Sequence, residues 1–272
     1  MRDKYLLWCA VWAGLVALGL AACDGGSETA GSDGSSGIAS RGPRATRVLE
    51  LLGVRDSLST SRKRGVLLYD VGQADSGTVA SDVEVARLAI PVEVHQVEEG
   101  YALLRQVAGL AARGETAERV VRDLQRPLAE RAVTYLGARR PCVAVVVDLD
   151  PLVLAGGHSF ETDLVQTLGA ESITHGGDAP RRPVDATLLV TRSVELVIAT
   201  ARALEAPALL EILERRLEDV PVHRVPAVGD VLWLGPPEEI DRLLDAWASP
   251  IDSVRTQPSR VGSCARTPRS VP

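Results

Sequence analysis

A run of small and polar residues precedes an apolar helical pattern in the second half of the chain, and its chemistry suits a bound anion. The run is Gly156, Gly157, His158, Ser159 and Phe160. Glycines allow a close backbone approach, and the open N–H groups at a helix start favour an anionic group on a ligand. We therefore predict ligand contacts from this run, with His158 as the best single contact. Two structural interpretations stay open: Ser159 as an N-cap and Phe160 as a core anchor.

Two carboxylates, Asp148 and Asp150, directly follow the apolar run Val145–Val147. At a strand end, one aspartate can attack phosphorus while the second handles the proton and Mg2+ neutralises charge. This arrangement resembles the first motif of haloacid-dehalogenase-type phosphatases. That family needs a downstream lysine, whereas this chain has only Lys4 and Lys63, both upstream. We therefore predict no enzyme activity, and a phosphatase using Asp148 and Asp150 is the less favoured alternative.

Metal, nucleotide and nucleic-acid binding find little support in the sequence. The four histidines, His95, His158, His175 and His223, lack the close spacing of a zinc motif. The glycines of the Ala155–Gly157 run lack the spacing of both the Rossmann and the P-loop motifs. The formal charge is −6, without a dense stripe of basic residues, which argues against a nucleic-acid partner. We predict no metal site and no resident cofactor.

The N-terminus predicts export and lipid attachment. Arg2 and Lys4 precede the apolar run Tyr5–Ala22, which stops at Cys23. Because a bilayer-spanning helix needs about 20 apolar residues, this run suits a cleaved signal peptide better than a permanent anchor. Acyl chains, palmitate among them, on Cys23 would then hold the protein on the membrane. Asp24 resembles an inner-membrane retention signal, so we expect the periplasmic face of the cytoplasmic membrane.

The remainder of the chain divides into a tether, a body and a tail. Residues 25–37 are rich in Gly and Ser, which indicates a flexible linker behind the lipid. A body of roughly 210 residues follows, enough for one large domain or two small lobes. Residues 250–272 form a polar tail. Cys142 and Cys264 could pair in an oxidising compartment, but their spacing does not decide whether they do.

Short β-branched runs alternate with helical patterns through the body. Strands are predicted at Val66–Val71, Pro91–His95, Cys142–Val147, Glu195–Ala199, Val220–Val225 and Val231–Leu234. Helices are predicted at Arg47–Leu52, Asp163–Leu168, Leu204–Leu217 and Glu238–Trp247. Such alternation predicts an α/β fold whose parallel sheets are covered on both faces.

One helical pattern is much longer than the others. Between Thr116 and Leu136 apolar residues, Leu124 and Leu128 among them, recur every three or four positions. At 1.5 Å per residue this stripe is about 30 Å long and could brace two lobes. Pro127 falls inside the pattern, so two shorter helices that meet at Arg126 are the alternative.

Four stretches in this order resemble one known family. They are Ile38–Asp56, an opening strand, Pro turn and helix; Ala89–Val94, a second crossing strand; Asp148–Gly169, a strand end, glycine turn and helix; and Pro226–Leu234, a closing hairpin. Together they are similar to the helical-backbone substrate-binding proteins of ABC importers, which capture cobalamin, ferric siderophores and haem. The resemblance covers most of residues 38–248.

The resemblance implies a fold with two Rossmann-like lobes, built on parallel sheets and joined by a long backbone helix, like class III periplasmic binding proteins. It divides the chain into a shortened N-terminal lobe at 38–100, a backbone helix region at 101–138 and a C-terminal lobe at 139–249. Ligand contacts from the first lobe are then expected from Arg41, Arg44, Tyr69, Asp70 and Gln73. The two arginines would suit a carboxylate or phosphate on the ligand.

The implied function is a membrane-anchored monomer that captures a metal chelate such as a corrinoid, ferric siderophore or haem. The partners would be an ABC permease with its ATPase. Two departures from the family pattern favour an alternative. The link between Gly53 and Val66 is short, which predicts a pocket that is smaller or open on that side. The second-lobe docking position near Asp185 and Thr187 lacks the usual Glu. The alternative is a degenerate relative that acts as an envelope interaction or sensory module.

Overall fold

Two β-sheets form the framework of the chain. The computed structural model describes residues 37–54, 64–70, 86–92, 94–191, 194–200, 203, 205–217, 219–257 and 264. The signal peptide, Cys23, Asp24, most of the linker and Gln73 lie outside these residues. The strands are β1 Gly37–Arg41, β2 Arg64–Asp70, β3 Ala86–Val92, β4 Cys142–Leu149, β5 Leu152–Ala155, β6 Glu171–Ser172, β7 Arg181–Pro183, β8 Leu196–Ala199 and β9 Val222–Arg224.

Helices connect these strands and cover the sheets. They are α1 Pro43–Leu51, α2 Val97–Leu110, α3 Gly114–Thr134, α4 Phe160–Thr167, α5 Thr187–Thr191, α6 Pro207–Leu217, α7 Val231–Leu234 and α8 Pro237–Arg255. None of the helices in the described part of the chain is long and apolar enough to cross a membrane.

The first sheet is parallel and has the order β1-β2-β3, with Arg41 opposite Tyr69 at one end. Helix α1 begins with Pro43, a residue whose fixed φ suits the first helical position. Its residues Val48 and Leu49 are buried. This sheet and α1 are called the first lobe below.

The second sheet, with the helices beside it, forms the second lobe. Its strand order is β7-β5-β4-β8-β9, and β6 also pairs with β4. Strands β6, β8 and β9 run parallel in their pairings, as predicted, whereas β5 and β7 are antiparallel at one edge. The sequence did not predict this edge, because β4 and β5 form a hairpin inside a stretch interpreted as a strand end and a glycine turn.

Strand β4 shows why the second sheet is covered on both faces. Val143 and Val145 belong to the larger core, which also contains residues of the first lobe, while Ala144 and Val146 belong to a second core beside α6. Successive side chains of a strand point to opposite faces. A continuous apolar run is therefore the pattern expected of a strand buried on both sides.

Helix α3 is one 21-residue helix that continues through Pro127, so the alternative of two shorter helices is wrong. Leu124 is buried as predicted and Leu128 is partly buried. The far end of the stripe is not buried: Val133 is 64% exposed and Leu136 is 78% exposed. The expectation of a continuous buried stripe is therefore too long at its C-terminal end.

Three further elements differ from the predictions. Val231–Leu234 is a helical turn and not a strand, so the closing hairpin implied by the resemblance is absent from these residues. Helix α2 precedes α3 as a separate helix, and Ala112 has a positive φ of 53° in the turn between them. Helix α8 continues beyond Trp247 to Arg255, because Ile251 and Val254 are also buried.

The C-terminal segment is fastened to the second sheet by a disulfide. Cys264 pairs with Cys142, the first residue of β4, with a Cα–Cα distance of 5.5 Å. The pairing that the sequence left undecided is therefore formed. It links positions 122 residues apart.

Candidate functional site

A cleft of about 240 Å³ lies where residues of the two lobes approach each other. Its lining includes Arg44, Val94, His95 and Gly229 on one side and Ser159, Phe160, Glu161 and Arg181 on the other. Charged side chains therefore reach this inter-lobe cleft from both directions. A cavity between two lobes is a common position for a ligand site.

Asp70 at the end of β2 positions Arg44. Its carboxylate accepts the backbone N–H groups of Arg44, at 3.1 Å, and of Ala45, at 2.8 Å. These are unpaired donors of the first turn of α1, so Asp70 satisfies them from the neighbouring strand. Gly42, with a φ of 99°, packs directly against this carboxylate, where a Cβ would lie 2.5 Å from the Asp70 Cγ. Asp70 therefore contacts α1 directly and fixes the direction from which Arg44 enters the cleft.

The side chain of Arg44 is held from the C-terminal part of the chain. Its Nε donates to Asp230 Oδ2 at 2.6 Å, and Trp233 Nε1 donates to Asp230 Oδ1 at 3.2 Å. Trp233 is fully buried, which gives this carboxylate a rigid support. A guanidinium carries five N–H donors in a planar fork. The bond to Asp230 uses Nε, so the terminal nitrogens of Arg44 remain suitable for a ligand.

Arg181 faces the cleft from β7 and forms a bidentate pair with Glu161. Its two terminal nitrogens donate to the Glu161 carboxylate at 2.9 and 3.0 Å. Glu161 is 6% exposed and lies in the first turn of α4, where the helix dipole favours a negative charge. The cleft therefore contains two arginines whose charges are each balanced by a carboxylate of the same chain.

Two hydrogen bonds connect the start of α2 with the second lobe. His158 Nε2 lies 2.7 Å from Glu99 Oε1, and the Val97 N–H donates to Asp163 Oδ2 at 2.9 Å. Burial opposes ionisation of Glu99, but the His95 N–H and the neighbouring His158 ring lower its pKa below the ordinary value. At neutral pH Glu99 is therefore a carboxylate that holds both its own helix start and His158.

The two glycines of the predicted anion-binding turn are needed for close contact with the chain itself. A Cβ on Gly156 would lie 1.9 Å from the Ala179 carbonyl oxygen, and one on Gly157 would lie 2.2 Å from that of Gly177. The Gly156 N–H donates to Pro180 O, and the His158 N–H to Ala179 O. These N–H groups are therefore occupied within the chain, and the turn builds the wall of the cleft.

Ser159 and Phe160 have structural roles at the edge of the cleft. Ser159 Oγ accepts the Thr162 N–H at 3.3 Å, which confirms Ser159 as the N-cap of α4. Phe160 is 8% exposed and belongs to the larger core with Leu164 and Leu168, which confirms its interpretation as a core anchor. Both residues also line the cleft, so these interpretations do not exclude ligand contact.

Of the ten predicted ligand contacts, Arg44, Ser159 and Phe160 line the cleft. Arg41 and Tyr69 lie side by side at the ends of β1 and β2, and both are partly exposed, but neither lines the cleft. His158, Gly156 and Gly157 do not line it, although Ser159 directly after them does. His95, Glu161 and Arg181 also line the cleft but were not predicted as ligand contacts. Only the position of Glu161, next to Phe160, could have pointed to the site.

The remaining candidate groups are histidines and the carboxylates of the β4–β5 turn. The rings of His95 and His158 are 6.1 Å apart, and no three described His, Cys, Asp or Glu residues are arranged to hold a metal ion. Asp148 Oδ1 accepts the N–H groups of Leu149 and Asp150 in the β4–β5 turn. That carboxylate stabilises its own turn, and Asp150 is exposed.

A parallel first sheet, a mostly parallel second sheet, a long helix between them and an inter-lobe cleft together define the class III periplasmic binding protein fold. No protein-family model and no curated protein matches the chain by sequence. Solved structures of periplasmic binding proteins for cobalamin, haem and siderophores do match it in fold.

Three of these structures illustrate the likeness. An ABC transporter substrate-binding protein from Listeria monocytogenes is 11% identical, with 77% of this chain and 98% of that chain covered and a TM-score of 0.56. The periplasmic vitamin B12-binding protein BtuF of Vibrio cholerae is 11% identical, with 81% of this chain and 98% of that chain covered and a TM-score of 0.55. The periplasmic haem-binding protein RhuT of Roseiflexus sp. RS-1 is 15% identical, with 82% of this chain and 100% of that chain covered and a TM-score of 0.55. Identities this low establish the shared fold alone.

Proposed function

We propose that this protein is the ligand-capturing component of an ABC importer and passes its ligand to a permease driven by an ATPase. The observation that supports this most strongly is the inter-lobe cleft, where Arg44 and Arg181 approach one cavity from opposite lobes. The shared fold with an ABC transporter substrate-binding protein supports the same role. The protein would act as a monomer without a resident cofactor.

The size and lining of the cleft favour a compact ligand. Its volume of about 240 Å³ is below the roughly 300 to 1,000 Å³ of most small-molecule sites. Phe160 is the one aromatic side chain, apart from the His95 ring, among the described residues that line it. Flat macrocycles are usually gripped by several aromatic faces. Among metal chelates, a compact ferric siderophore with an anionic group near Arg44 therefore fits better than a corrinoid or haem.

The proposed location is the periplasmic face of the cytoplasmic membrane, with acylated Cys23 in the bilayer. The Cys142–Cys264 disulfide supports export, because structural disulfides form and persist in oxidising compartments. Lipid attachment itself rests on the sequence around Cys23, which lies outside the described residues.

A calorimetric screen tests the proposal. Detergent-solubilised protein would be titrated with ferric siderophores, a corrinoid, haem and free ferric ion. We expect saturable binding of at least one chelate and about tenfold or greater weakening in Arg44→Ala, because a hydrogen bond to a charged group contributes about 1.5 to 3 kcal/mol. Arg122→Ala is the matched control, since Arg122 is an exposed arginine on α3. Equal binding by wild type and Arg44→Ala would place the ligand elsewhere.

A second candidate function is an envelope interaction or sensory module. The specific observation in its favour is that Arg44 and Arg181 are each paired with an internal carboxylate, so the cleft is electrostatically balanced without a ligand. Absence of binding by every compound in the screen would favour this function. Neighbouring permease and ATPase genes would favour import, and an isolated gene would favour the interaction module.

A further inference from the structure

A second and larger cavity lies beside the long helix, between α2, α3 and α4. We call it the backbone-helix pocket. It is lined by Glu98 and Tyr101 of α2, Leu128, Ala129 and Ala132 of α3, and Asp163 of α4. Its volume of about 550 Å³ falls within the roughly 300 to 1,000 Å³ of small-molecule sites and is more than twice that of the inter-lobe cleft.

Tyr101, one of the residues that line this pocket, has a buried hydroxyl group without a partner among the described residues. Tyr101 is 1% exposed, and its hydroxyl oxygen makes no hydrogen bond to any residue that the structure describes. Buried polar groups are almost always paired, because desolvation without a partner costs free energy. Burial and the nearby carboxylates of Glu98 and Asp163 raise the pKa of Tyr101, so the hydroxyl keeps its proton. A ligand that hydrogen-bonds to this oxygen would satisfy it.

The charge beside this hydroxyl is negative. Asp163 Oδ2 accepts the Val97 N–H, and burial raises the pKa of Asp163 to about 6. The groups that face Asp163 are Glu98 and Glu99 on α2 and His158 ahead of α4. At neutral pH Asp163 is therefore a poorly solvated carboxylate among other carboxylates.

The described residues that line the pocket supply no positive charge to balance these carboxylates. None of the described residues that line it is basic. Arg105 is close enough to Tyr101 to lower the pKa of its hydroxyl, but its Nε donates to Glu118 at 2.8 Å. The α3 side contributes Gln125 as its polar group. The pocket therefore has the electrostatics of a cation site.

The opposite wall is apolar. Leu128, Ala129 and Ala132 of α3 contribute to this part of the lining. Leu128 is only partly buried by the protein. An apolar surface of this kind suits an aliphatic chain, because covering it removes apolar area from water.

We propose that the backbone-helix pocket binds an organic cation, namely a protonated primary amine with a short aliphatic chain. An ammonium group has three N–H donors, which match the Tyr101 hydroxyl oxygen and the carboxylates of Asp163 and Glu98. The aliphatic chain would lie on Leu128 and its neighbours. A bare metal ion fits less well, since no three described His, Cys, Asp or Glu residues are arranged here to hold one.

The test is calorimetric titration of the full-length protein in detergent with n-hexylamine and, for comparison, n-hexanol at pH 7.5. We expect saturable binding of the amine that is at least tenfold tighter than that of the alcohol. Tyr101→Phe, which removes only the unpartnered hydroxyl, and Asp163→Asn should each weaken amine binding at least tenfold. Ala129→Phe should block it. Asp123→Asn, the same chemical change at an exposed position of α3, should bind like wild type.

The pH dependence gives a second readout. Hexylamine stays protonated at both pH 7.5 and pH 5.0, whereas Asp163, with its pKa of about 6, becomes neutral as the pH falls through that value. Amine binding by wild type should therefore weaken at pH 5.0, and Asp163→Asn should show much less of this change. Equal affinity for hexanol and hexylamine, absence of saturable binding, or unchanged binding by Tyr101→Phe and Asp163→Asn would overturn the proposal.

Discussion

Replacement of Gly100 by alanine should destabilise the protein through a clash with Trp233. Gly100 lies in α2 with its Cα against the indole ring. A Cβ at this position would lie 2.6 Å from Trp233 Cγ and 2.7 Å from Cδ2. Carbon atoms in contact are normally about 3.5 to 4.0 Å apart, so the ring would have to move by about 1 Å.

The ring has little room to move. Trp233 is fully buried, and its Nε1 donates to Asp230, which also holds Arg44. Overpacking a filled core costs about 1 to 3 kcal/mol. Alanine gains about 0.8 to 1 kcal/mol over glycine in a helix, and this gain partly offsets the cost of overpacking. The displaced indole should also shift Asp230 and thereby weaken ligand binding through Arg44.

A matched glycine in the same helix separates these two effects. A Cβ on Gly109 would meet no atom of the described residues within 4 Å, so Gly109→Ala should be neutral or stabilising by up to about 1 kcal/mol. Urea unfolding followed by circular dichroism gives the free energy of unfolding for wild type and both variants. The difference between Gly100→Ala and Gly109→Ala isolates the packing cost, expected to be about 1 to 3 kcal/mol. Equal stability of the two variants would refute the close contact between α2 and Trp233.

Three other changes test the helix, the tail and the anchor. Leu124→Ala should lower the free energy of unfolding by about 2 to 5 kcal/mol, whereas Leu136→Ala, at a position 78% exposed, should change it by less than about 0.5 kcal/mol in urea unfolding. Cys264→Ser should lower the free energy of unfolding by about 2 to 5 kcal/mol, because it removes the disulfide. A reductant should lower the melting temperature of wild type but not that of this variant. A wild type whose melting temperature does not respond to the reductant would contradict the disulfide. Cys23→Ser should abolish labelling by radioactive palmitate and release the protein from membranes or leave it unprocessed; a wild type that is freely soluble and unlabelled would refute lipid attachment.

Much of the fold could be predicted because its elements have strong local patterns. The β4 run from Cys142 to Val147 is apolar on both faces, and it forms the centre of a covered sheet. Helix α3 was predicted to within two residues at each end, because its apolar positions recur at helical spacing. Pro127 did not end it. The alternative of two helices that meet at Arg126 rested on the low preference of proline for helix interiors, which tertiary packing overrides here.

The errors occurred where tertiary packing overrides local preference. Val231–Leu234 contains β-branched and aromatic residues, yet the segment folds as one helical turn whose Leu232, Trp233 and Leu234 are all buried. A strand would direct alternate side chains to opposite faces, whereas this turn packs against α1, α2 and α3. The pattern of apolar residues is too short here to decide between the two.

The cleft was predicted only in part because its walls come from distant parts of the chain. Arg44 and Asp230 are separated by 186 positions, and their ion pair has no sequence signature. Arg181 lies on a short antiparallel strand that the alternation of strands and helices did not predict. Gly156 and Gly157 were correctly singled out as sites of close backbone approach, but the approaching group is the chain itself near Ala179.

Native mass spectrometry of the full-length protein, extracted from envelopes of its own organism, would detect a captured ligand directly. We expect a one-to-one complex with a small molecule that is lost on denaturation. The same complex should be retained by Arg122→Ala and lost or strongly reduced in Arg44→Ala, because Arg44 lines the inter-lobe cleft and Arg122 does not. A wild type that carries no bound molecule under any extraction condition, or a complex that persists in Arg44→Ala, would contradict ligand capture between the two lobes.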